Sequence, residues 1–77
     1  MEENISLCDA KIGGTYRVLG IELPRATHIR LVALGLTAGT QVTVLNNKRS
    51  GSVIFNVRGT RLAVGRRIAE RIVVAQT

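Results

Sequence analysis

Short runs of alternating apolar and polar residues, separated by glycines, occupy most of the chain between Leu34 and Ala75. The clearest of them is Ser52–Arg58, in which Val53, Phe55 and Val57 recur at every second position. A period of two is typical of a β-strand with one buried face, because successive side chains point to opposite sides of a sheet. Glycines fall at the expected corners between such segments, at Gly35, Gly39, Gly51, Gly59 and Gly65. The pattern therefore predicts a series of short strands joined by tight turns.

The same pattern predicts strands elsewhere in the chain. In Thr15–Ile21 the alternation places Tyr16 and Val18 on the inner face. The remaining predicted strands are Gln41–Val44, with Val42 and Val44 buried, Arg61–Val64 and Arg71–Ala75. The polar, glycine-terminated segment Asn46–Gly51 is typical of a hairpin connection longer than two residues. Residues 1 to 10 show little pattern.

One helix is predicted, from Pro24 to Leu34. Proline fits the first turn of a helix, and Gly35 suits the left-handed position that often follows a helix end. A shorter helical turn is predicted near Arg66 to Glu70. Spacing of three and four predicts that the helix packs inward through Leu31, Leu34 and either Ala33 or Ile29, with Arg25 and Arg30 facing solvent or a partner.

About five short strands with one inserted helix predict a mainly β fold and a small barrel. A barrel is favoured over a sandwich because a sheet that curls on itself protects strand edges that two small open sheets would leave exposed. A ferredoxin-like α+β fold is the alternative, but it requires two full helices and only one segment is long enough. No linker, repeat or low-complexity stretch divides the chain, so residues 1–77 are expected to form a single domain.

The charge balance limits the classes of partner. Lys and Arg number 11 against 5 acidic residues, and the net charge of +6 suits nucleic acid, an acidic protein surface or an anionic membrane. Base-stacking aromatic residues are scarce, since Tyr16 and Phe55 are both expected to be buried, so specific nucleic-acid binding is not expected. No apolar stretch approaches the ~20 residues that a membrane span needs. The acidic start, with no apolar segment after it, predicts a cytoplasmic protein.

Residues able to support catalysis or bind a metal are few. The chain has 1 His and 1 Cys, which excludes a disulfide within the chain and leaves a nucleophile with few candidate bases. The chain also lacks the Gly-Lys-Ser/Thr ending of a phosphate-binding loop, so an enzyme is not expected. His28, Cys8 and Glu22 are weak metal-ligand candidates without ligand-type spacing, and a metal shared between two copies through His28, Asp9 or Glu22 stays open.

Residues 30 to 75 resemble the FeoA family, the small cytosolic proteins of bacterial ferrous-iron uptake. Thr15 to Ile21 fits the first strand of the family more loosely. Ala38 stands where a proline is common in the family, and Leu34 where methionine is frequent. The matching pieces are Arg30-Leu31, Leu34-Gly35-Leu36-Thr37-Ala38-Gly39-Thr40, Val42 and Val44, Arg58-Gly59-Thr60-Arg61-Leu62-Ala63-Val64, and Ala69 with Ile72 and Val74.

The resemblance implies an SH3-like barrel and a role as a non-enzymatic accessory to FeoB, the membrane Fe(II) transporter with a cytosolic GTPase domain. A similar domain forms the C-terminal module of iron-dependent repressors. The resemblance implies no required cofactor, although it leaves binding of Fe(II) or another transition metal open. It implies recruitment to the inner face of the membrane through FeoB. Direct membrane insertion is not expected, and the protein is expected to be a monomer or a weak homo-oligomer.

The expected binding surface is a basic rim around an apolar cleft between the helix and the barrel. Arg61, Arg66 and Arg67 are the predicted charge partners, and Leu36 and Ile54 are the predicted outward apolar contacts. Arg66 and Arg67 could instead cap or solvate the helical turn. The alternative functions are a basic RNA-binding barrel and a stand-alone transition-metal-binding or sensing module. Whether the protein stimulates GTP hydrolysis, gates the transporter or assembles it stays open at the level of the sequence.

Overall fold

The computed structural model describes residues 4–48 and 51–77. Its two helices are α1 (Arg25–Ala33) and α2 (Arg66–Ala69), and a 3-10 turn spans Leu7–Asp9. Its strands are β1 (Asn4–Ser6), β2 (Thr15–Ile21), β3 (Gln41–Asn47), β4 (Val53–Val57), β5 (Thr60–Val64) and β6 (Ile72–Gln76). Most predicted elements are therefore confirmed within a few residues of their expected bounds.

The strands form one six-stranded sheet in the order β1-β6-β2-β3-β4-β5, and every neighbouring pair is antiparallel. The sheet curls around a single apolar core, which confirms the mainly β, small-barrel fold with six strands in place of about five. Within the described residues β1 and β5 pair with only one strand each. The barrel therefore keeps two strand edges, which the expected closure would have removed.

The core is built mainly from alternating valines. Val53, Phe55 and Val57 of β4 are fully buried, as their alternation predicts. The predicted inner residues of the neighbouring strands, Tyr16, Val18, Val42 and Val44, are buried as well. The hydroxyl of Tyr16 accepts a 2.9 Å hydrogen bond from the backbone N–H of Lys11, so its one polar atom has a partner.

Helix α1 begins and ends one residue inside its predicted bounds, and its inner face is narrower than expected. Only Leu31 is buried, whereas Ile29 and Leu34 are 56% and 52% exposed. The helix ends in a Schellman motif: the N–H of Gly35 donates to the carbonyl of Val32 and the N–H of Leu36 to that of Leu31. This turn carries Leu36 into the core, where the sequence predicted that Leu34 would pack.

Strand β1 was not predicted. Its three residues pair with β6 at the other end of the chain, in the register Ile5↔Val74, so no local periodicity reveals it. Strand β3 extends beyond its predicted end at Val44 to Asn47, and a bulge at Leu45 shifts the register of its pairing with β4. Of the predicted hairpin connection, Asn46 and Asn47 belong to β3 and residues 49–50 lie outside the described residues.

Candidate partner-binding groove

A groove of about 270 Å³ separates α1 from β5 and the start of α2. It lies where the sequence predicted a cleft between the helix and the barrel. Its floor and walls are mostly apolar, because α1 presents a narrow buried face and leaves aliphatic side chains beside the barrel. The lining residues are Thr27, Arg30 and Leu31 of α1, Leu34 directly after it, and Leu62, Ala63, Val64, Gly65 and Ile68 on the barrel side.

The side chains that line the groove differ in their exposure to solvent. Leu31 and Val64 are buried at its base, and Leu62 and Ile68 are half-buried on the barrel side. Leu34 on the helix side is 52% exposed, beside the apolar lining of the groove. An apolar contact that covered Leu34 would remove this surface from water, so the groove suits a partner with apolar side chains.

Arginines lie on each of the elements that form the groove. Arg30 lines it, and Arg61 and Arg67 are exposed on the two elements that form its barrel side. The side chain of Arg58 lies beside the C-terminus of α1, where a Cβ added to Gly35 would lie 3.5 Å from its Cδ. The stretch from Gly51 to Arg71 carries arginines with Glu70 as its one acidic residue. The local field therefore favours an acidic partner.

The predicted contact residues have different outcomes. Arg61 and Arg67 are exposed on β5 and α2, and their assignment as charge partners stays a prediction. Ile54 is half-buried on the outer face of β4, opposite Ala63. The prediction for Leu36 is wrong: this side chain is fully buried, because the Schellman turn that ends α1 directs it into the core with Leu31.

The expectation that Arg66 is a free charge partner is also wrong. Its Nη1 donates to the carbonyls of Lys48 and Gly51 at 2.6 and 3.3 Å. Its Nη2 donates to the carbonyl of Cys8 and to Oδ1 of Asn47, both at 3.1 Å. A guanidinium that joins three segments in this way is committed to contacts within the fold. Its acceptors lie outside the helical turn, so the alternative that Arg66 caps or solvates this turn is not what the contacts show either.

Sequence reasoning missed the helix side of the groove. Arg30 was expected to face solvent or a partner, but Leu34 was assigned to the packed face. The spacing of α1 gave no way to choose between Leu34 and Leu36 as the residue that enters the core. No binding role was predicted for Leu62 or Ile68, because the position of α1 over β5 cannot be deduced from either segment alone.

The weak metal candidates do not form a ligand set. Within residues 4–48 and 51–77, no group of three or more His, Cys, Asp or Glu side chains converges as a metal site would require. The Ser6 hydroxyl lies 3.2 Å from Sγ of Cys8 and donates to the carbonyl of Ala69 at 3.0 Å. Because the Ser6 proton is committed to Ala69, the Cys8 thiol is the donor in the first contact.

A model of the FeoA domain matches residues 5–76. The chain belongs to the FeoA family. The match covers all six strands and both helices apart from the first residue of β1, so the family assignment applies to the whole fold. Members of the FeoA family take part in Fe(2+) transport, which confirms the family and the general process implied by the resemblance.

Individual relatives agree with this membership in the FeoA family. A protein of Methanocaldococcus jannaschii, named provisionally as Fe(2+) transport protein A, is 34% identical over 68 residues, which is 88% of this chain and 82% of that protein. The crystal structure of an iron uptake regulatory protein (FeoA) superposes with a TM-score of 0.87 at 29% identity, covering 97% of this chain and 99% of the other. The solution structure of FeoA from Chlorobium tepidum gives a TM-score of 0.86 at 30% identity, covering 94% of this chain and 70% of the other.

The same fold occurs in a longer regulator. A manganese-dependent transcriptional repressor superposes on all of this FeoA-family chain with a TM-score of 0.88, and the match covers 44% of the repressor. At 16% identity this likeness concerns the fold alone. Among the described residues of the present chain, no helix is both long and apolar enough to cross a bilayer.

Proposed function

We propose that this chain is a non-enzymatic accessory of ferrous-iron uptake that docks on the cytosolic part of the FeoB transporter through the groove between α1 and β5. The observation that carries the proposal is a mostly apolar groove, lined in part by Arg30, in a member of the FeoA family. The protein acts in the cytoplasm and reaches the inner face of the membrane by binding FeoB. It requires no cofactor, and Fe(II) is the cargo of the transporter it assists.

The composition of the groove supports binding of a protein rather than catalysis. Its lining side chains are aliphatic except for Thr27 and Arg30, so it lacks a nucleophile with an adjacent base. Apolar surface ringed by arginine is typical of protein interfaces, where arginine is enriched and the rim stays polar. A docking surface of this kind would release water from Leu34 and place acidic partner groups beside Arg61 and Arg67.

RNA binding is less well supported. Tyr16 and Phe55 are 2% and 0% exposed, so neither ring can stack on a base. Contact through phosphates alone would be unspecific and would weaken steeply as salt rises. A competition experiment with RNA at about 0.15 M salt, near the physiological ionic strength, would show whether RNA displaces FeoB from this protein.

Charge reversal at Arg61 and Arg67 tests the proposal. We expect Arg61→Glu combined with Arg67→Glu to weaken binding to the cytosolic part of FeoB by about tenfold, or about 1.4 kcal/mol, because two favourable charge contacts become repulsive. Isothermal titration at physiological salt measures the affinity. NMR spectra of the labelled variant check that it remains folded.

The matched control is Lys11→Glu combined with Arg25→Glu, which changes the net charge equally at two exposed residues outside the groove. Its affinity should change much less. Equal losses for both double variants would mean that net charge alone governs binding, and the groove would be removed from the proposal. Shifts localised at His28, Cys8 or Glu22 on anaerobic addition of Fe(II), without any response to FeoB, would favour the metal-binding alternative.

A further inference from the structure

Strand β5 has a free edge that faces the groove. It pairs with β4 on one side, and within the described residues no strand pairs with its other side. The other end of the sheet is β1, which is only 3 residues long, whereas β5 has 5. Edge strands present unpaired backbone groups that can add a further strand.

The β4–β5 turn determines which backbone groups are free. Arg58 and Gly59 both have positive φ, of 50° and 79°, as in a two-residue type I′ turn between the paired residues Val57 and Thr60. In such a hairpin the flanking pair is hydrogen-bonded and the pairs alternate from there. Arg61 and Ala63 therefore fall in non-hydrogen-bonded pairs, and their N–H and C=O groups point to the free edge.

The groove provides space for an added strand at this edge. Ala63 contributes to its lining, and Leu34, directly after α1, lines the opposite side. Along β5 the side chains alternate, with Leu62 half-buried and Val64 buried on the inner face and Arg61 and Ala63 exposed on the outer face. An added strand would alternate in the same way. Its inner side chains would lie beside Leu62 and Leu34, and its outer side chains beside Arg61.

The inner and outer faces of β5 favour different side chains in an added strand. Apolar side chains suit the inner face, because they would cover Leu34 and the half-buried Leu62. Acidic side chains suit the outer face, because Arg61 is exposed there and pairs with no acidic side chain of the described residues. An extended segment that alternates apolar and acidic residues satisfies both faces.

We propose that the partner binds by strand addition: an extended segment with alternating apolar and acidic residues pairs with the free edge of β5 and places its apolar side chains in the groove. The inference rests on the proposed function for the origin of this segment in the cytosolic part of FeoB. Main-chain hydrogen bonds to Arg61 and Ala63 provide the register, and the groove selects the side chains.

Amide hydrogen exchange tests the mode of binding directly. Addition of the cytosolic part of FeoB should slow exchange of the Arg61 and Ala63 amides at least tenfold, because these N–H groups acquire acceptors. A synthetic peptide of about eight residues, a usual strand length, that alternates Val and Glu should protect the same two amides. The matched peptide that alternates Val and Lys should protect neither.

The variant Ala63→Pro removes the outward N–H without removing a β4–β5 hydrogen bond, which an edge strand tolerates. It should lose at least tenfold in affinity for FeoB and for the acidic peptide, whereas Ala63→Val should retain both affinities. Should Ala63→Pro fail to fold, exchange in the unchanged chain decides the question.

The outcomes separate the inference from the proposed function. Binding of FeoB without protection of Arg61 and Ala63 overturns strand addition and leaves the accessory role in place. Protection by the acidic peptide with no binding of FeoB supports strand addition and overturns the assigned partner. Absence of binding by both overturns the inference and the proposed function together.

Discussion

Gly39 adopts a φ of +89° in the turn that joins α1 to β3. Its N–H donates to the carbonyl of Val18 at 2.7 Å, and the N–H of Val18 donates to the carbonyl of Thr40 at 2.8 Å. This exchange connects the turn to β2, so the conformation of one residue helps to align two strands. A side chain at such a φ costs about 1–2 kcal/mol, since its Cβ crowds the backbone.

Replacement of two glycines with alanine isolates this effect. Neither Gly39 nor Gly20 has any heavy atom within 4 Å of an added Cβ, but only Gly39 has a positive φ. We expect Gly39→Ala to lower the free energy of unfolding by about 1–2 kcal/mol. Gly20→Ala should leave it unchanged or raise it by about 0.4–1 kcal/mol, since alanine restricts the unfolded chain. Urea denaturation measures both, and equal losses would show that the backbone conformation of Gly39 is not the cause.

At the level of elements, one side chain joins segments that are distant in sequence. Arg66 connects α2 to the carbonyl of Cys8 in the 3-10 turn and to Lys48 and Gly51 beside the β3–β4 connection. Asn47 donates to the carbonyls of Cys8 and Ala10 at 2.9 and 2.6 Å, so it supports the same turn. The short N-terminal segment is thus held by side-chain contacts as well as by its pairing with β6.

Arg66→Lys should therefore destabilise the fold by about 1–3 kcal/mol, because a lysine cannot reproduce the planar set of donors and leaves backbone carbonyls without partners. The control Arg67→Lys, at an exposed position in the same helix, should change stability by less than about 0.5 kcal/mol. Denaturant unfolding of both variants measures the difference. A similarly small loss of stability in the two variants would show that the contacts of Arg66 contribute little to the stability of the fold.

Arg66 and Asn47 are expected to act as a unit, since both donate to the carbonyl of Cys8 and Arg66 also donates to Oδ1 of Asn47. Combining Arg66→Lys with Asn47→Ala should cost less than the two single changes together, with a coupling of about 0.5–3 kcal/mol. A double-mutant cycle by urea denaturation gives this value. Strict additivity would mean that the two side chains stabilise the turn independently.

On the scale of the whole molecule, the net charge of +6 acts on stability as well as on binding. Mutual repulsion of like charges disfavours the compact state. Raising salt from about 0.01 M to about 0.15 M shortens the screening length from about 30 Å to about 8 Å, so the thermal midpoint of unfolding should rise. The variant Lys11→Glu with Arg25→Glu, which removes most of the net charge, should show a smaller rise. An equal rise would point to a salt effect unrelated to net charge.

The strands and their buried faces could be predicted from sequence because they depend on neighbours two residues apart. Val53, Phe55 and Val57 form one face of a strand wherever that strand lies, and the bounds of α1 follow from Pro24 and Gly35. Family membership was also recognisable from the sequence, since the turn and strand residues that resemble the family follow one another in the same order along the chain.

The tertiary structure decided what depends on contacts between distant segments. Local spacing does not specify that the turn after α1 carries Leu36 into the core, or that the guanidinium of Arg66 reaches Cys8. Strand β1 exists only through its pairing with β6, and the groove only through the position of α1 beside β5. The sequence by itself determined the other elements and the family, because both depend on the order of residues along the chain. Which leucine is buried, which arginine is free and which strand edge is open were settled by packing in three dimensions.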